Sequence, residues 1–404
     1  MNSKPLPTDP MIRELIRHAQ KAQLNRRTLL TGAAAGATGL ALAACSTGPG
    51  ELSAAPDESD TNKKVRWDNW ALYVDVDDAG NYPTIDAFEA QTGIKVEYTE
   101  AVDDNNTYYG KVKDQLSLGR DIGADAVCLT DWMVARLIRF GYTQKLDYAN
   151  MPNVANNLLP SLQDVDFDPG REMSVPWQGG FAGIAWNKEQ VPNGIKSVQD
   201  LWKPELKGRV GALSEMRDTM GLIMLDQGVD ISGKWGDDEF NAAIDEFSKQ
   251  VADGQIRNIK GNSYKEDLVN EDTLAAIVWS GDIVQLNAEN GDKWDFVVPD
   301  AGGTLWNDNF MVPIGSPAKS NVEEMINYYY DPAVAAEVAA YVNYITPVAG
   351  AKEAAAAIDP ELANNKLIFP DDDTLSKAFV FRGLDNSEEQ KYNAAFQSVL
   401  LGAA

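Results

Sequence analysis

The chain has 404 residues, with 35 basic and 61 acidic side chains and a net charge of −26. A surface of that sign repels nucleic-acid phosphates and anionic lipid headgroups, so nucleic acid is excluded as a partner. One histidine and two cysteines are too few for a cysteine-rich zinc cluster or a disulfide framework.

The first readable element runs from Asn25-Arg26-Arg27 through an Ala/Gly-rich apolar segment, 29–42, to Leu42-Ala43-Ala44-Cys45. The segment is shorter than the ~20 residues a membrane-spanning helix needs and is flanked by charge on one side only. Three glycines in so short a run also make a poor soluble helix. The stretch resembles a bacterial twin-arginine lipoprotein signal. That reading makes 1–44 an export signal and Cys45 the lipid-attachment residue, and it places the mature chain on the extracytoplasmic face of the cell membrane. It leaves open whether export takes the twin-arginine or the general secretory route. It also removes the single histidine, His18, and leaves 29 basic and 59 acidic residues. A mature chain without histidine has no Ser-His-Asp triad, Cys-His pair or histidine-ligated zinc. On the enzyme side only carboxylate chemistry, such as a glycosidase pair, or an oxygen-ligated cation site stays open.

Residues 45–64, rich in Ser, Gly, Pro, Asp and Glu, are expected to be a flexible tether. The body then alternates strands with helices, a pattern of parallel α/β layers. A strand at 65–70 is followed by a helix at 85–91, stopped by Gly93. Next come a strand at 94–98, a helix at 107–118, a strand at 126–129 holding Cys128, and a helix at 132–140. The Cys128 thiol is expected to be buried and inert. Two β segments, 173–177 and 181–187, are expected to meet at a flexible joint at Gly179-Gly180. A second α/β region has strands at 209–213, 274–278 and 295–298 and helices at 218–227 and 238–253. Residues 310–313 and an Ala-rich helix at 332–342 are expected to return to the first region. A body of this size exceeds one hydrophobic core, so two lobes are expected: 65–181 with 309–343, and 182–308 with 344–404.

Several strings carry a family resemblance: Phe88-Glu89-Ala90-Gln91-Thr92-Gly93-Ile94-Lys95-Val96, Asp200-Leu201-Trp202-Lys203-Pro204, Trp306-Asn307-Asp308 and Tyr344-Ile345-Thr346-Pro347. With the order of elements, they make 65–404 resemble the extracellular solute-binding proteins of bacterial ABC transporters, in particular the spermidine/putrescine-binding group. The resemblance implies a type II periplasmic-binding-protein fold, two lobes joined by crossing strands with the ligand between them. It implies a polyamine ligand, an ABC permease as partner, no enzymatic activity and no cofactor or metal; a monomer is expected. Carried over by position, it implies ligand contacts from Trp70, Tyr73, Thr130, Asp131, Trp132, Glu215, Asp218, Trp279, Trp306, Asp308 and Tyr344. The family has a glutamine in the C-terminal segment, which here reads Phe379-Val380-Phe381-Arg382, and an arginine beside an amine ligand would be unfavourable.

The residue types suit that chemistry. A polyamine needs carboxylates at its charged ends and aromatic faces along its methylenes. Trp306 with Asp308, and Asp131 with Trp132, supply both in single loops. Asp131 is equally placed to cap the helix it begins. Arg217 is expected to pair with Asp218 or Glu215, and Asp282 to be solvated or capping. Trp67, Trp177, Trp186, Trp202 and Trp235 are assigned to cores. Sugars also stack on tryptophan, so a sugar, an amino acid or a metal chelate on the same fold stays open, as does a secreted glycosidase.

Overall fold

The computed structural model describes residues 52–403; the signal, Cys45 and the first part of the tether lie outside them. The expected tether is shorter than its composition suggests. Ala55 and Glu58 donate their N–H groups to the carbonyls of Ile314 and Pro317, and Asp57 accepts from Ser320. Residues 55–62 therefore lie against the body, because Asp57 and the backbone find partners that composition does not reveal.

The first lobe is built from β1 (Lys64–Trp70), α1 (Pro83–Thr92), β2 (Lys95–Val102), α2 (Asn105–Leu116), β3 (Ala126–Thr130) and α3 (Asp131–Arg139). Pro83 starts α1, and Gly93 ends it with φ 74°, a conformation a side chain resists. Asp104 caps α2 by accepting from the Thr107 N–H at 2.9 Å. β1 pairs in parallel with β2 and β3, as βαβ units require.

The chain then crosses on β4 (Val175–Asn187), thirteen residues buried throughout. The expected joint at Gly179-Gly180 is instead continuous strand. Its ladder runs on across both glycines, with Gly179 opposite Asn307 and Gly180 opposite Trp306. The second lobe comprises β5 (Val210–Leu213), α4 (Met216–Asp226), α5 (Asp237–Ala252), β6 (Ile256–Lys260), α6 (Tyr264–Val269), β7 (Ala275–Trp279), α7 (Ser280–Asn290) and β8 (Trp294–Val297). The return crossing is β9 (Gly303–Met311), antiparallel to β4 on one side and to β3 on the other. One sheet thus runs β2-β1-β3-β9-β4-β7-β5-β6 through both lobes, with its β9–β4 centre as the crossing.

After β9 come α8 (Lys319–Tyr329), α9 (Pro332–Val342) and α10 (Ala351–Ile358). Here the expected boundary moves. Tyr344, Val348 and Ala351 join the first lobe's core, and Ala355 and Ala363 pack on Ala336 of α9. The Ala-rich faces of α9 and α10 bury against each other, which holds 344–363 to lobe 1. The chain re-enters lobe 2 near β10 (Ala378–Phe379), which pairs with β9. It ends in α11 (Asn386–Ala403), whose Tyr392, Phe396 and Val399 complete that lobe's core.

Each lobe has its own apolar core. Trp67 and Trp177 anchor the first, while Trp186 and Trp235 anchor the second and Trp202 packs against it. Cys128 is fully buried, and burial pushes its thiol well above the usual range, as a core thiol requires.

Candidate ligand-binding site between the lobes

The strand crossing places the site. At its centre Asp308 of β9 faces Thr130 of β3 on one side and Gln178 of β4 on the other. Around it lies a cavity lined by both lobes. Trp70, Tyr73 and Thr130 come from the first lobe; Glu215, Asp218 and Trp279 come from the second. Trp306 and Asp308 project from the crossing strand, and Tyr344 from the segment after α9.

Its wall is a chain of five aromatic rings. Trp70 meets Trp279 at 6.2 Å between centroids, Trp279 meets Trp306 at 6.4 Å, and Trp306 meets Tyr344 at 5.2 Å. Tyr73 closes the series on Tyr344 at 5.5 Å, and all four pairs are edge-to-face. Gly180 makes room for this wall. A Cβ there would lie 2.8 Å from both Trp306 and Tyr344 ring carbons.

Four buried carboxylates face the cavity: Glu215, Asp218, Asp282 and Asp308. Asp218 accepts from Trp279 Nε1 at 2.8 Å and from Thr304 Oγ1 at 2.5 Å. Glu215 caps α4 at the Arg217 N–H, and its Oε2 accepts from Asn105 and Trp132 of the other lobe, each at 3.2 Å. Among the described residues, Asp308 Oδ1 and the indole N–H groups of Trp70 and Trp306 are buried without a hydrogen-bonding partner. Burial raises Glu215 to about 8, partly offset by Arg217, with Asp218 adding to the rise. Burial raises Asp308 to about 7, offset in part by the Thr130 and Tyr73 hydroxyls, while Asp131 and Asp218 push it further. Asp218 is also raised by burial, against the hydrogen bonds from Thr304 and Trp279. Such a cavity favours positive charge, because a cation restores the ionised state that desolvation disfavours.

Nine of the eleven expected contact residues line this cavity; Asp131 and Trp132 do not. Asp131, at the start of α3, accepts from Asn309 at 2.6 Å and from Asn307 at 3.3 Å, so it braces the crossing strand. Trp132 spends its N–H on Glu215 and carries the guanidinium of Arg217 at 4.2 Å and that of Arg136 at 4.9 Å from its ring centroid. Arg217 pairs with neither Glu215 nor Asp218 but with Glu389 of α11, at 3.5 Å. Glu389 also binds Arg136 at 3.0 Å and Arg139 at 2.8 Å, both from the opposite lobe. Arg382 turns away from the cavity, held bidentately by Glu388 at 2.7 and 3.0 Å and stacked 4.0 Å from Trp235.

The sequence reading missed Asn105 and Asn262 as lining residues and underrated Asp282. Asp282 is not solvated. It accepts from Tyr264 at 2.7 Å and from Tyr344 at 2.9 Å. Its position three residues after Trp279, on the first turn of α7, was the available signal.

A pair of α/β lobes joined by crossing strands over a shared acidic and aromatic cavity defines a solute receptor of the periplasmic-binding-protein fold. Residues 84–370 match the bacterial extracellular solute-binding protein family. The chain belongs to that family, a family of solute receptors rather than enzymes, and within it to the spermidine/putrescine-binding group. The spermidine/putrescine-binding periplasmic protein of Escherichia coli K12 is 30% identical over 321 residues, covering 78% of this chain and 86% of its own. A putrescine-binding periplasmic protein of the same organism is 28% identical over 352 residues, covering 83% and 90%. Among solved structures, a spermidine/putrescine ABC transporter protein of Listeria monocytogenes superposes with a TM-score of 0.72 at 26% identity. That match covers 84% of this chain and 99% of the other.

Proposed function

We propose that this chain is the receptor of an ABC importer and carries a polyamine of the spermidine or putrescine kind to a membrane permease. The observation that carries the reading is Asp308, a carboxylate at 4% exposure with one oxygen unpartnered, set beside Trp306 and Tyr73. An ammonium group there completes the hydrogen bonding of Asp308, and the aromatic wall receives the methylenes and adds cation–π attraction. Glu215 and Asp218 offer a second anionic end. A neutral sugar would leave these carboxylates uncompensated, which favours the cationic ligand.

In this reading the ligand enters between separated lobes and stabilises the joined arrangement, since both lobes supply its contacts. Cys45 carries the lipid that holds the protein at the membrane beside its permease, and the receptor acts as a monomer. Titration calorimetry tests the ligand: a 1:1 complex with spermidine or putrescine is expected, and no heat with either would overturn the reading. Fractionation of a Cys45→Ala variant tests the anchor, with release from the membrane fraction expected.

A further inference from the structure

The cavity's carboxylates differ in one respect that bears on ligand choice. Glu215, Asp218 and Asp308 form no ion pair among the described residues, and their hydrogen bonds come from neutral donors or backbone. Asp282 has its own cation. Lys265 of α6 places Nζ 3.3 Å from Asp282 Oδ1, with side-chain exposures of 13% and 5%. Among the described residues, the buried Lys265 ammonium has no hydrogen-bonding partner, and this carboxylate is the one that compensates its charge. The remaining capacity of Asp282 is taken by two tyrosine hydroxyls, one of which belongs to the wall residue Tyr344.

We infer that Lys265 is a specificity-determining residue, a built-in counter-ion that removes Asp282 from the ligand's charge balance and disfavours the longest polyamines. The argument rests on the polyamine reading and deepens it. Glu215, Asp218 and Asp308 are left to the ligand's ammonium groups, with the buried Arg217 guanidinium already offsetting part of the charge of the first two. With Asp282 taken, the cavity offers a long polyamine one carboxylate fewer than it contains, which disfavours an additional ligand charge. A lysine in this place does what one more ligand amine would otherwise do. It pairs with Asp282, whose Oδ1 also accepts from the Tyr344 hydroxyl, and so helps hold the Tyr344 ring in place.

The test compares putrescine, spermidine and spermine, with two, three and four amines, by calorimetry on the exported chain. Lys265→Met keeps the length of the side chain and removes its charge. Its spermine-to-spermidine affinity ratio is expected to rise about tenfold over the unsubstituted protein. The double variant Lys265→Met/Asp282→Asn removes both charges and should return the ratio to its original value. An unchanged ratio in a Lys265→Met protein with native circular dichroism would overturn the inference while leaving the polyamine reading intact. Should Lys265→Met fail to fold, Asp282→Asn alone decides. It strands the Lys265 ammonium beside the cavity and should weaken all three amines by about tenfold or more; unchanged binding would overturn the inference. No binding of any amine by the unsubstituted protein would overturn the polyamine reading and the inference with it.

Discussion

Trp132 in the first lobe donates its indole N–H to Glu215 Oε2 in the second, 3.2 Å away across the cleft. Asn105 reaches the same oxygen from the same side. A carboxylate of the ligand cavity is therefore also an interlobe contact, so occupancy of the cavity and apposition of the lobes act on one group. Trp132, expected to touch ligand, does not line the cavity; its indole N–H goes to Glu215, which does.

Asp308→Asn removes the charge of the central carboxylate and keeps its shape. Loss of one partner from a buried charged pair costs about 2–5 kcal/mol, so the dissociation constant for spermidine should rise at least tenfold. Calorimetry reads this directly, and the melting temperature of the ligand-free variant should not fall, because a neutral amide relieves a buried acid.

The raised acids give the ligand-free protein a characteristic pH dependence. Glu215 near 8 and Asp308 near 7 hold protons in the folded chain that the unfolded chain has already released. Their stabilising contribution is present below the unfolded carboxyl range and is lost as pH rises through about 7 to 8. The ligand-free melting temperature should thus decline between about pH 5 and 8. Polyamine binding near neutral pH should release protons, detected as heats that vary with the ionisation enthalpy of the buffer.

Glu389→Gln tests the cluster on the far side of Trp132. Arg136 and Arg139 of lobe 1 and Arg217 of lobe 2 converge on this one carboxylate. Its neutralisation leaves three guanidinium groups without their shared partner and weakens the joined state. Ligand dissociation, followed by stopped-flow tryptophan fluorescence, should accelerate by about tenfold, with a smaller change in association. Glu389→Asp should recover part of the effect.

Gly180→Ala places a methyl group against Trp306 and Tyr344. The overlap displaces both rings or bends the crossing strand, at a cost of about 1–3 kcal/mol. Thermal unfolding should report that loss, and polyamine affinity should fall with it.

Strand and helix periodicity made most of the α/β order legible, because each element buries one patterned face. What escaped depends on distant partners. The assignment of 344–363 to lobe 1 follows from Ala355 and Ala363 meeting Ala336, a contact no local pattern encodes. The docking of 55–62 hangs on Asp57 finding Ser320. In the cavity, Trp279 at the end of β7 and Asp308 within β9 were legible through the family resemblance. Asp131 and Trp132 have the same local chemistry, and only the fold shows their side chains taken by Asn309 and Glu215. Asp282 and Lys265 were illegible as a pair, since they lie on different helices.

The attachment of 55–62 to Ile314, Pro317 and Ser320 has a mechanical meaning. All of these partners belong to lobe 1. Under the anchoring proposed at Cys45, a pull on the chain would therefore reach lobe 1 first, and lobe 2, joined to it by the crossing strands and the later return of the chain, would be the part left to move.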